Sequence, residues 1–372
     1  MEGVPGFVVG LSGLAVGAVL GFFVRRARLC TFAAIEDATV GGDTRRFKVF
    51  AVALAIAILG TQALIGLGLF DPRATPYVPS AWPWLTAMLG GLLFGVGMAQ
   101  VGTCAFGSLV RLGGGDLRSL VVLLVFGLVA YATVRGIAAG VRTELLDRTA
   151  LPLPWLRQGD LPGAADFATS LDSRLGLGVV IAGMLSLWAL SDQRVWRARR
   201  LLVAGVVLGL CVVAGWVATA VLPDPFAADI RPQSLNFVAP VGRTIIGGVL
   251  GQVSLLDFGV ASVVGAVAGA GTAAWLGDEF RWDAFDDQRE MRRHLFGAVL
   301  MGFGGVVAGG CTIGQGLTAG SLLALSAPMA VIGMFVGARV VIFFLVGASV
   351  GKALLEAAGL GSQAERWLGR RS

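Results

Sequence analysis

The chain has 372 residues, of which 56% are apolar and 14% charged, against about 25% charged in an ordinary soluble domain. Glycine fills 56 positions, and 29 Lys+Arg against 23 Asp+Glu leave a net charge of +6. These values exclude a disordered chain, a nucleic-acid-binding arm and a disulfide-stapled secreted module, and they predict an all-α polytopic membrane protein rich in close backbone contacts.

A bilayer core of about 30 Å takes about 20 apolar residues per helix. The first such stretch, Phe7–Val24, starts without a basic leader region and runs into Arg25 and Arg26, so no removable signal peptide is expected. Cys30–Val40 follows and is too polar and short to cross. Val49–Leu69 and Leu85–Val101 are the next two spans. Cys104–Leu112 is a second short segment, and Leu120–Ala139 a fourth span. Val141–Arg174 reads as an outer cap. Leu175–Leu190 is a short connecting span, then comes Leu201–Leu222. Val241–Leu255 is a third short segment, preceded by Ser234 and Asn236 between Pro232 and Pro240. Val260–Leu276 and Leu295–Gly310 are further spans, Cys311–Leu325 a fourth short segment, and Met329–Val346 the last span. The pattern is about nine transmembrane helices plus four re-entrant half-helices, since irregular backbone at membrane depth must line a cavity or be buried in protein.

The basic residues orient this pattern. With the N-terminus outside, 20 of the 29 Lys/Arg fall in inner segments and 8 in outer ones, as the positive-inside rule requires. The N-terminus is therefore expected outside and the C-terminus inside. Gly90–Ser108 and Gly297–Gln315 both read as a glycine-laced helix, a small residue, a cysteine and a glycine-rich half-helix. They start on opposite sides, which makes an inverted repeat. The expected units are a repeat over 1–140, an outer loop and connecting helix over 141–200, an inverted repeat over 201–351 and a cytoplasmic tail over 352–372. Inverted repeats with facing broken helices mark a transporter core.

The four cysteines form no C-x-x-C pair, and His294 is the one histidine. A thioredoxin-type dithiol, a bis-His haem and a His-rich metal cage are thereby disfavoured, and no metal or cofactor is expected. Cys104 and Cys311 each open a half-helix, where unpaired N–H groups and the positive dipole end favour an anion. A neutral thiol is a weak donor and a soft surface, suited to a large sulfur-containing anion. Cys30 opens the first half-helix behind Arg25, Arg26 and Arg28. Cys211 lies mid-span and reads as packing. Gln100, Gln252 and Gln315 are amides near the breaks, Gln315 best placed, four residues after Cys311; Gly102 and Gly310 let backbone approach a ligand. Arg339 lies within a span and Arg135 at the end of one, each open to a ligand role or to snorkelling. Arg194, Arg197, Arg199 and Arg200 read as topological charges.

Four motifs carry a family resemblance. They are Arg28–Ala38, Gly102-Thr103-Cys104-Ala105-Phe106-Gly107-Ser108 with Gly113–Leu120, Ser234–Pro240, and Gly309–Gly316. In this order, across nearly the whole chain, they resemble the YeeE/YedE sulfur-transport family. The resemblance implies an hourglass-shaped inner-membrane transporter rather than an enzyme. It implies a narrow path lined by Cys30, Cys104 and Cys311, along which thiosulfate passes from the periplasm by S–H hydrogen bonds. Cys311 would lie toward the outside, Cys104 near the middle and Cys30 toward the inside. A small TusA/YeeD-type sulfurtransferase is the implied cytoplasmic partner. Family members tied to other sulfur or selenium species leave the substrate open, and a membrane sulfurtransferase working through a Cys persulfide is the rival reading.

Overall fold

A computed structural model describes residues 6–79, 81–151, 160–161, 174–221, 231–251, 257–285 and 287–345. Gln252, most of the 141–174 loop, the end of the third short segment and the tail 352–372 lie outside the described residues.

A helix stands at each of the nine apolar stretches: α1 (Gly6–Ala27), α3 (Arg45–Gly66), α4 (Trp84–Val101), α6 (Leu117–Arg135), α8 (Arg174–Leu190), α10 (Arg199–Trp216), α12 (Phe258–Leu276), α13 (Gln288–Val307) and α14 (Ser326–Leu345). Between them lie the shorter α2 (Thr31–Val40), α5 (Ala105–Gly113), α7 (Ala139–Thr149), α9 (Gln193–Arg197) and α11 (Ala239–Val249). The fourth short segment folds as a helical turn whose centre, Gly314–Ala319, is a π-helix. Among the described residues, seven helical stretches are long and apolar enough to cross a membrane. α8 is shorter at 17 residues, and α13 opens with a charged turn. The protein is an all-α, multi-pass membrane protein.

Aspartates start several helices. Asp116, Asp192, Asp257 and Asp287 each accept a backbone N–H of the first turn, which satisfies donors the helix leaves open. Glycines set how closely the helices pack. Gly13, Gly17 and Gly21 of α1 face backbone carbonyls of Phe258, Ser262 and Ala266 on α12. α4 is embraced on two faces, by α13 at Gly90 and Gly97 and by α14 at Gly91 and Gly95. Where α4 meets α13, a Cβ on Gly97 would stand 2.5 Å from the Gly297 carbonyl oxygen, and one on Gly297 would stand 2.7 Å from that of Gly97. Without a hydrophobic drive between helices in lipid, such small-residue contact is what joins them.

The packing repeats between halves. α1 packs on α12 as α10 packs on α3, and α4 on α14 as α13 packs on α6. Among the short helices, α2 leans on α3 and α14 as α11 leans on α12 and α6, and α5 meets α12 as the π turn meets α3. The pairs α1–α10 and α4–α13 relate the halves to one another. α8 has no counterpart and packs along α3. Phe94, Phe126, Trp216, Phe237 and Phe258 are fully buried where these elements converge.

Candidate functional site

Two half-helices begin at a cysteine whose sulfur accepts a backbone N–H of the first turn. α4 ends at Gly102, whose φ of +74° is a left-handed conformation that glycine adopts without penalty. Thr103 then leads into Cys104 in extended backbone, and the Gly107 N–H donates to the Cys104 sulfur at 3.3 Å. In the other half α13 ends near Gly309, with φ of +80°, and the Gly314 N–H donates to the Cys311 sulfur at 3.4 Å. Sulfur is a weak acceptor where Ser or Asp would be a strong cap. The positive end of each half-helix is therefore poorly neutralised from within. By position Gly102 matches Gly309, and Gly310 matches Thr103. Gly102 makes the turn, and its carbonyl accepts from Arg111 Nη2 at 3.1 Å.

Cys30 joins Cys104. It precedes α2 in extended backbone without using its side chain as a cap. Its sulfur lies 3.7 Å from Thr103 Oγ1. Gly107 faces both, since a Cβ there would stand 3.4 Å from Cys30 Sγ and 3.5 Å from Cys104 Sγ. Cys104 is buried, and Cys30 is half-buried on a cavity of about 380 Å³ shared with Arg25, Arg28, Arg46 and Arg111. One residue on, Thr31 Oγ1 donates to Thr312 Oγ1 at 3.3 Å. That bond ties the start of α2 to the residue after Cys311.

Cys311 is fully buried among amide and aromatic groups. Asn236 Nδ2 donates to the Tyr77 hydroxyl at 3.1 Å, and its Oδ1 accepts the Val238 N–H at 3.1 Å. The amide lies against Gly310 and Gly314, where a Cβ would stand 3.3 Å and 2.9 Å from it. Trp216 stacks on Phe70 at 5.2 Å and meets Tyr77 edge-on at 6.5 Å. Phe237 meets Phe106 at 4.7 Å, which brings the segment beside Cys311 against the helix that Cys104 begins.

Gln315 is anchored by its amide: its Nε2 donates to the Ala308 carbonyl at 2.6 Å, which closes the end of α13 with one of its two amide hydrogens. Its Oε1 is buried without a hydrogen-bond partner, as is Ser108 Oγ, four residues after Cys104. Gln100 sits at the α4–α13 crossing beside Gly297. Arg339 lies over Phe335 and Phe343 of its own helix, at 5.8 and 5.4 Å. Arg135 is exposed at the end of α6. The Cys211 thiol points at the Val16 carbonyl, 3.9 Å away, in the α1–α10 contact. His294 is buried beside Glu290 and Phe285. The contributions of Thr103, Tyr77 and Phe106 were not anticipated; each depends on a partner far away in sequence.

The profile of a family described as Sulphur transport matches residues 26–340. Over 349 residues the chain is 28% identical to the thiosulfate transporter TsuA of Escherichia coli, covering 88% of this chain and 92% of that one. It is 29% identical to the TsuA of Spirochaeta thermophila, covering 88% and 96%. A probable transporter, YedE of Escherichia coli, is 31% identical over 101 residues, 27% of this chain and 23% of that one. On the strength of a match that spans both cysteine-capped half-helices, the chain belongs to the sulphur transport family.

Proposed function

We propose that the protein imports thiosulfate across the inner membrane along Cys311, Cys104 and Cys30, with the N-terminus periplasmic and the C-terminus cytoplasmic. The observation that carries this is the pair of weakly capped half-helix starts, one joined by a third thiol that opens on an arginine-lined cavity. A dianion is drawn to the two helix ends by their free N–H groups and dipoles. Thiols then replace part of its water. A hydrogen bond to a charged group contributes about 1.5–3 kcal/mol, and thiols fall at the low end because S–H is a weak donor. Several weak sites in a row let an anion enter and still leave, as conduction requires. The basic bias of the inner segments supports the orientation, and the shared packing of the halves supports a repeat over 1–140 and 201–351 joined through 141–200. Delivery to a small TusA/YeeD-like sulfurtransferase at the Cys30 end completes the reading, with the substrate rather than a bound cofactor supplying the sulfur.

The test is growth and labelled uptake in cells that need thiosulfate as sole sulfur source. Wild type is expected to support both, and Cys104→Ala to lose uptake while remaining extractable as a folded protein. Normal uptake by that variant would sink the cysteine path. Failure of wild type at normal expression would shift the substrate to another sulfur or selenium anion.

A further inference from the structure

The cavity beside Cys30 carries four guanidinium groups, Arg25, Arg28, Arg46 and Arg111, and one carboxylate, Glu279. These charges are unequally engaged. Arg46 pairs with Asp37, and Arg111 donates to the neutral Gly102 carbonyl. Glu279 alone spans the other two, with Oε1 3.0 Å from Arg28 Nη2 and Oε2 3.9 Å from Arg25 Nη2. A single carboxylate thus bridges two cations on the wall of a basic chamber.

The backbone on both sides of this bridge is strained. Arg28 and Asp278, the residue before Glu279, both have φ of +51°, a left-handed conformation that a Cβ disfavours. Among the described residues Leu323 is the one other non-glycine with positive φ. Both strained turns are fixed. The Leu29 N–H donates to the Val24 carbonyl at 3.1 Å, and the Glu279 N–H to the Ala274 carbonyl at 2.9 Å. The loop after Glu279 is pinned to the α5–α6 turn by Arg281 N–H on the Gly114 carbonyl at 3.1 Å. The frame is held, while the two side-chain ends are free to part: 76% of the Arg28 side chain and 43% of that of Glu279 are exposed. Strain of this kind persists where the surroundings over-determine it, and it clusters at switches.

We infer that Glu279 is a resident competitor in an anion site formed by Arg25, Arg28 and Arg111, and that a doubly charged oxyanion leaving Cys30 displaces it. The inference rests on the cysteine path proposed above. The carboxylate holds Arg25 and Arg28. An arriving dianion offers two charges and several oxygens to the same planar forks, a match for which arginine is suited. Glu279 is repelled into solvent, and its return expels the anion. No bond to the anion has to be strong for the exit to work.

The test uses the purified full chain in nanodiscs, with equilibrium binding of thiosulfate and of sulfate, which shares the charge but lacks the terminal sulfur. Glu279→Gln is expected to bind both anions about two- to fivefold more tightly at low salt, the scale of a partly exposed charge pair, with the gain fading at about 1 M salt, where the screening length is about 3 Å. Arg28→Met is expected to weaken both by a similar factor, and it serves alone if the Gln variant does not fold. Unchanged or weaker binding by folded Glu279→Gln, or unchanged binding by Arg28→Met, overturns the latch. Absence of thiosulfate uptake by wild type overturns the path instead, and the sulfate comparison then still decides the role of Glu279 by itself.

Discussion

Cys104 and Cys311 begin their helices alike and sit in different company. Each sulfur accepts the N–H three residues on, at 3.3 and 3.4 Å, and each follows a glycine turned to positive φ. Around Cys104 stand a second thiol, the Thr103 hydroxyl and a chamber of arginines. Around Cys311 stand Asn236, Tyr77 and the Phe70–Trp216 stack. The capping device comes from the repeated sequence. The surroundings come from connections that differ between the halves: the α1–α2 turn on one side, and on the other the extended 231–238 stretch that leads into α11, together with the loop after α3. The two ends share a capping device, while unlike neighbours surround one with amide and aromatic groups and the other with a thiol and arginines.

Adding a methyl group at each end tests that contrast most sharply. A methyl at Gly107 would drive into the Thr103 hydroxyl, with the Cys30 and Cys104 sulfurs in ordinary contact at 3.4 and 3.5 Å. One at Gly314 would press on the Asn236 amide instead. Gly107→Ala is expected to cut the maximal rate of thiosulfate uptake by about tenfold, an overpacking cost of about 1–3 kcal/mol falling on the Thr103 hydroxyl that lies against Cys30. Gly314→Ala is expected to raise the uptake KM more than it lowers the rate. Equal effects on rate and KM from both variants would mean the two ends do the same job.

A smaller effect separates the hydroxyls. Tyr77→Phe removes the bond to Asn236, and Thr103→Val removes the contact with Cys30, each with little change of volume. A net loss of about 1 kcal/mol per bond predicts a KM rise of about fivefold for Tyr77→Phe, read by labelled uptake. Thr103→Val is expected to slow uptake at saturation by a similar factor. Reversal of the two phenotypes would place entry at the arginine end.

The smallest effect lies away from both ends. The Lys48 ammonium, followed by the Arg194 N–H, holds the Asp192 carboxyl down from 3.8 to about 2. The folded pKa is lowered, so the stability this pair adds is present above 3.8 and is lost as pH falls from there to about 2. The melting temperature is expected to fall slightly over that interval and to fall less in Asp192→Asn. Uptake near neutral pH should be untouched by the same variant.

Apolar length made the helices legible, and it misjudged their ends for a physical reason. α13 begins at Gln288, seven residues before the apolar window at Leu295, because Asp287 accepts the Arg289 N–H and starts a charged turn to which hydropathy is blind. The paired cysteines were legible because the chain repeats their setting. The meeting of Cys30 with Thr103 was not, being a contact across 73 residues, nor was that of Asn236 with Tyr77, across 159. The anchoring of Gln315 was hidden in the same way, since residue type alone does not show that one of its amide hydrogens goes to the Ala308 carbonyl at the end of α13.

The glycine contacts along α4 have a bearing on speed. Main chain lies against main chain at the glycines of two faces. Shifting α4 by one residue along either neighbour would drive a Cβ into a carbonyl. The pillar that ends at Cys104 and its antiparallel mate that ends at Cys311 are thus locked in register, and a rocking stroke has no lubricated plane. On the cysteine path proposed above, a fixed α4–α13 frame would leave the pace of transport to the stripping and regaining of the anion's hydration shell.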